Sequence, residues 1–203
     1  MTQASATANF AVPNEDGFGT SDANALWAFA ALSAAEYGFP DVSPDQPSWY
    51  GIAEALWNAE TRRWGTETCE GGLYQLFDSD FDAPDDLKGA VDFVILSARL
   101  YALTRNETYA DWTNTAWDWM DRVGLVVANG TRNGSLTIYN SILEPPRNIQ
   151  ACSENIAPTI CTNRAAMMLN TAAIMFNITR DEKRENRAYG ISDGTEVSAA
   201  SKV

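Results

Sequence analysis

Three features of the sequence predict an all-α fold. Apolar residues recur at three- and four-residue spacing through five long stretches. Gly, Pro, Asn and Asp clusters separate those stretches. Strand-like runs occur mainly around Asn129 to Gly134, enough for one small β-ribbon. With 203 residues, 45% of them hydrophobic and 7 of them Trp, the chain can bury the core of one domain.

Residues 1–19 carry Pro13, Gly17 and Gly19 among small polar residues and read as an extended lead-in. The first helix spans Gly19 to Tyr37, and the stretch is apolar almost all round. Leu26, Trp27, Phe29, Ala30 and Leu32 point to a helix wedged among others, burying more than one face. Asp22 stands at its mouth, where a carboxylate either caps the first N–H groups or projects into a pocket. Gly38-Phe39-Pro40 stops this helix. After a loop with Pro44 and Pro47, a second helix runs from Ser48 to Glu60 on the stripe Trp49, Ile52, Ala53, Leu56 and Trp57.

Arg62 to Phe77 reads as a Gly-containing loop entering a short extended segment. The acidic connection that follows places Asp78, Asp80 and Asp82 as in the opening of a calcium loop. Ala83 replaces the turn Gly and Gly89 the bidentate Glu, so a solvated lead-in is the favoured reading and no metal is expected. Helices three and four cover Asp86 to Leu103 and Glu107 to Val123, the latter ended by Gly124. Leu125–Val127 and Leu136–Tyr139 form the ribbon, and a Pro-containing loop with Cys152 leads to the fifth helix, Thr162 to Thr179. Residues 20–179 make the domain. Residues 180–203 are charged, lack an apolar period, and read as a disordered tail.

Charge and composition exclude several functions. There are 14 basic against 27 acidic residues, and a net charge of −13 repels nucleic acid. No apolar run reaches membrane-spanning length, and the first residues lack the basic start and apolar core of a signal peptide. The chain has no His, so Ser-His-Asp triads, Cys-His pairs and His-ligated metals are excluded. Acid–base chemistry is left to carboxylates, Tyr, Lys or Cys. Cys69, Cys152 and Cys161 allow one disulfide with one thiol left over. Sequons at Asn106, Asn129, Asn133 and Asn177 suggest an exported glycoprotein.

Several segments, in order, resemble glycoside hydrolase family 76, the endo-α-1,6-mannanases and related fungal cell-wall transglycosylases. They are L-W-A-F-A-A-L-S-A-A-E-Y-G-F-P at Leu26 to Pro40, Q-P-S-W at Gln46 to Trp49, and R-W-G-T-E-T-C-E-G-G-L at Arg63 to Leu73. S-A-R-L-Y-A-L-T-R-N-E-T-Y-A-D-W follows at Ser97 to Trp112, and A-W-D-W-M-D-R-V-G-L-V at Ala116 to Val126. The resemblance implies about half of an (α/α)6 barrel, an inner helix ring inside an outer one. It places the first of two adjacent catalytic aspartates at Asp22 and the second at Ala23. It also implies sugar contacts at Trp64, Gly71 and Gly72, a Cys69–Cys152 disulfide with Cys161 free, no cofactor, and secretion or a cell-wall or endomembrane location.

Two motifs of the family are altered. Its K-N-x-I-S-N segment becomes Asp85 to Ala90, and its W-x-Y-N-x-G motif falls on Cys161 to Ala166, without the aromatic platform. Glu70 replaces one Gly of the Gly-rich motif. The implied function is a mannan endo-1,6-α-mannosidase of mannan catabolism and fungal cell-wall biogenesis, impaired in this chain. Its substrate is α-1,6-mannan or a mannosyl glycan. The alternative is a catalytically inactive mannan-binding relative or a truncated gene product, and the bland one is a helical interaction module. Because half a barrel cannot close, Trp27, Phe29, Phe93 or Met168 are expected to lack partners on at least one side.

Overall fold

A computed structural model describes residues 20–41, 43–65, 70–73, 87–129, 135–140, 159–160 and 162–200. The helices are α1 (Ser21–Glu36), α2 (Trp49–Thr61), α3 (Leu87–Thr104), α4 (Glu107–Arg122), α5 (Thr162–Thr179) and α6 (Glu182–Ala200). The strands are β1 (Val126–Asn129), β2 (Ser135–Asn140) and β3 (Thr159–Ile160). Consecutive helices pair into three hairpins, α1 with α2, α3 with α4, and α5 with α6. The first helices of the hairpins also meet, with α3 packed against both α1 and α5. They form an inner layer and their partners an outer one, as in a segment of an (α/α) barrel.

Local chemistry explains where the helices begin and end. Thr20 caps α1, its Oγ1 accepting from the Ala23 amide at 3.3 Å, and Ser48 caps α2 by accepting from the Gly51 amide at 3.0 Å. Asp22 therefore lies inside the first turn, and the capping role belongs to Thr20. Gly38, at φ 64°, leaves α1 in the left-handed conformation. The chain leaves α3 and α5 the same way through Arg105 and Arg180, at φ 60° and 55°, positions that glycine would occupy without strain.

The core is aromatic at its centre. Trp57 meets Tyr109 edge-on with ring centroids 4.7 Å apart, and Trp112 meets Phe93 at 5.6 Å and Trp64 at 5.7 Å. The buried Trp57 indole donates to Ser97 Oγ at 2.8 Å, so the ring enters the core with its N–H satisfied. Leu56, Leu96, Leu100, Met120 and Leu125 fill the surroundings.

Three expectations are corrected. Residues 182–200 form α6, not a disordered tail. Arg187 lies over the Trp117 ring at 4.5 Å and pairs with Asp118, while Ile191 is fully buried. The period escapes an apolar scan because a cation and a few small residues make the buried face. Phe93 and Met168 have their partners, at 1% and 0% exposure. Finally, α1 buries one face through Asn24, Ala25, Ala28, Ala31 and Leu32, leaving Leu26 and Trp27 exposed, because it stands at the open edge of the inner layer.

β1 and β2 pair antiparallel as the ribbon expected, with Val126 opposite Ile138 and Asn129 opposite Ser135. β3, which the sequence reading placed in a loop, adds a third strand through Tyr139 opposite Ile160. The disulfide and the acidic connection fall on residues 66–69, 74–86, 141–158 and 161, outside the described residues.

Candidate functional site

The starts of the three inner helices lie at one end of the molecule. A side chain at Gly89, early in α3, would meet Ser21 Cβ of α1 at 3.2 Å and Leu73 Cβ at 3.5 Å. Asp92 of α3 forms a buried ion pair with Arg164 in the first turn of α5. Inner helices tied start to start run parallel, so their unpaired N–H groups and positive dipole ends gather at the same end. Asp22 and Ala23 stand there, both half-buried in the first turn of α1.

Antiparallel pairing brings the end of α2 underneath. Asn24 Nδ2 donates to Glu60 Oε1 at 2.5 Å and to the Leu56 carbonyl at 3.4 Å. Burial pushes the Glu60 carboxyl up to about 7, and the negative charge of Asp22 adds to the rise; Asn24, Arg63 and Ser21 oppose it. Burial also lowers the pKa of the Arg63 guanidinium, while Glu60 opposes that shift.

Glu60 and Asn24 were missed as site residues in the sequence reading. The signal was present: Ala53, Leu56, Trp57 and Glu60 form one helical stripe, so a carboxyl continues an apolar face. Arg164 was also missed, and it lies in the Cys161 to Ala166 segment.

The segment after α2 turns back on itself. Trp64 and Leu73 form an antiparallel bridge, and the Gly65 amide donates to the Gly72 carbonyl at 2.8 Å. Gly72 adopts φ 108°, and a side chain at Gly71 would meet Trp119 Cδ1 at 2.6 Å. Both glycines are buried. They let this hairpin lie directly on Trp119.

Trp64 is half-buried within the aromatic core, 5.6 Å from Trp119 between ring centroids. With Glu70, Thr115, Asp118, Trp119 and Arg122 it also lines an open groove of about 370 Å³. Glu70 sits at φ 51° and pairs with Arg122 at 2.5 Å across that groove. Asn106 and Asn177 are exposed, and the side chains of the other two sequon asparagines, Asn129 and Asn133, lie outside the described residues. Asn106 also caps α4, accepting from the Thr108 amide at 3.1 Å.

Chemically, one half-exposed carboxylate stands where three helix starts converge, with a buried acid behind it. The position beside it carries a methyl group. Such an arrangement can accept hydrogen bonds from sugar hydroxyls or attack an electrophilic carbon, but Ala23 offers no proton to a leaving oxygen.

Comparisons with known proteins agree with this architecture. Residues 1–202 match the model of Glycosyl hydrolase family 76. Mannan endo-1,6-alpha-mannosidase DCW1 of Candida glabrata is 31% identical over 179 residues, covering 87% of this chain and 38% of that protein. The crystal structure of Dfg5 from Chaetomium thermophilum in complex with glucosamine superposes with a TM-score of 0.73 at 27% identity, over 86% of this chain and 41% of that one. An α-1,6-mannanase of Salegentibacter sp. HEL1_6, in an inactive variant with two consecutive aspartates changed to alanine and bound to α-1,6-mannotetrose, superposes at 0.58. That likeness, at 15% identity, covers 86% of this chain and 46% of that one and concerns the fold alone. The chain thus spans less than half the length of these relatives.

Proposed function

The chain belongs to glycosyl hydrolase family 76, and from that premise we propose that it engages α-1,6-linked mannan through the Asp22 end of the inner helices, with little or no turnover. The observation that carries this reading is the pair Asp22–Ala23 in the first turn of α1. In a retaining glycosidase one carboxylate attacks the anomeric carbon, and a second protonates the departing oxygen and later deprotonates water. Asp22 takes the first role. Ala23 leaves the second unfilled.

Glu60 does not replace it. At 1% exposure, its carboxyl is shut off from a sugar bound above α1. Losing a general acid lowers rates by about 10²- to 10⁴-fold. Binding requires less: a lone carboxylate accepts two or more hydrogen bonds from vicinal hydroxyls.

In this reading Trp64 supplies a sugar contact at the edge of the groove, while Gly71 and Gly72 shape the hairpin that holds it. Exposed Asn106 and Asn177 fit a glycoprotein of the cell wall or secretory route. Among the described residues, no helix is long and apolar enough to cross a membrane.

Saturation-transfer NMR with α-1,6-mannotetrose tests the binding. The chain should show transfer to the sugar, and Asp22→Ala should weaken affinity about tenfold or more, the scale of a hydrogen bond to a charged group. Equal transfer to an unrelated α-glucan, or no effect of Asp22→Ala, contradicts the reading.

A further inference from the structure

Beneath the first turn of α1, two buried side-chain oxygens lack a hydrogen. Asn24 Oδ1 and Glu60 Oε2 have no hydrogen-bond partner among the described residues. They belong to the two groups of a single contact, in which Asn24 Nδ2 donates to Glu60 Oε1 at 2.5 Å and to the Leu56 carbonyl at 3.4 Å. Both amide hydrogens are thereby used. Each residue is 1% exposed, so bulk water does not reach the remaining oxygens.

Two unsatisfied buried acceptors are costly, and a carboxylate supplies no hydrogen to either. A carboxylic acid supplies one. We propose that Glu60 is held as the neutral acid, its Oε2–H donating to Asn24 Oδ1. Acid and amide then form a reciprocal two-bond pair that fixes the turn of α1 carrying Asp22. Glu60 is thus a positioning residue, acting on Asp22 through Asn24. The inference rests on the proposed function only for what Asp22 does, not for the protonation of Glu60.

The surroundings favour the neutral form on balance. Burial is the largest influence, and of the charged groups facing Glu60, Asp22 of α1 raises its pKa while Arg63, just past α2, lowers it. Ser21 and Asn24, both of α1, favour the ionised form through hydrogen bonds, and the carboxyl still rises from 4.5 to about 7. When the proton leaves, the second bond of the pair goes with it. Asn24 Oδ1 is then left without a donor, and a new negative charge stands near Asp22.

The sign of the linkage follows. The folded state keeps a proton that the unfolded chain releases, so stability is fully present below about pH 4.5. It falls as pH rises to about 7 and is flat beyond. Within that window the folding equilibrium constant should drop by nearly tenfold per pH unit from this group.

The full chain and its Glu60→Gln variant are compared by urea unfolding from about pH 5 to about pH 8.5. Glutamine carries the pair's hydrogen at every pH. The variant should therefore lose this component of the pH profile and overtake the wild type in stability at the alkaline end. In ¹³C-glutamate-labelled wild type one side-chain carboxyl should titrate near 7 and be absent from Glu60→Gln, a measurement that survives if the variant folds poorly. A wild type whose carboxyls all titrate in the ordinary range, or a Glu60→Gln that keeps the wild-type profile, overturns the proposal.

Binding of α-1,6-mannotetrose should weaken with rising pH in the wild type and hold in Glu60→Gln. If neither protein binds the sugar while the titration and unfolding results hold, the mannan reading fails and the acid–amide pair stands.

Discussion

At the residue scale, the hairpin after α2 shows how one departure from a Gly-rich motif is accommodated. Glu70 occupies a left-handed conformation at φ 51°, which costs a residue with a Cβ about 1–2 kcal/mol. Its carbonyl and carboxylate both accept from Arg122, but the two side chains are 65% and 48% exposed and the ion pair gives little back. Glu70→Gly should therefore leave stability unchanged or raise it by up to about 1 kcal/mol, read as the urea midpoint. Gly71→Ala should do the opposite. Its methyl would press on Trp119 at 2.6 Å, and forcing that buried ring to shift should cost about 1–3 kcal/mol with some loss of native tryptophan fluorescence.

Among the elements, α6 depends on a few contacts. Lys183 and Arg187 reach Asp118, Arg184 donates to Asn114 at 3.3 Å, and Ile191 is the buried apolar anchor. Ile191→Ala should cost about 2–5 kcal/mol, and Arg187→Ala about 1–2 kcal/mol because its partner Asp118 is half-exposed. Amide exchange of α6 should accelerate in both variants ahead of α3.

Most of the helices were legible in the sequence, and this helix was not. α1 to α5 have apolar residues at helical spacing and recognisable stops, whereas α6 buries an arginine over a tryptophan, an interaction that depends on a residue 70 positions earlier. β3 is two residues long and takes its identity from β2. At the proposed site, Asp22 and Ala23 are what the resembling motifs lead one to expect. The contact of Asn24 with Glu60 could not, since it depends on the antiparallel packing of α1 on α2.

At the scale of the whole molecule, the described residues form three hairpins in an open layer. α1 is at one edge, with Leu26 at 66% and Trp27 at 47% exposure on its uncovered side. Apolar surface of this kind favours association. Sedimentation should show concentration-dependent self-association that Leu26→Lys with Trp27→Lys reduces.

The same architecture frames the question of activity. Asp22 stands at the convergence of the inner helix starts without a carboxyl partner at Ala23. The chain should therefore leave substrate unprocessed. Mass spectrometry of α-1,6-mannotetrose incubated with the purified chain tests this directly: the tetrasaccharide should be recovered intact, whereas shorter manno-oligosaccharides that disappear with Asp22→Asn would establish a working glycosidase.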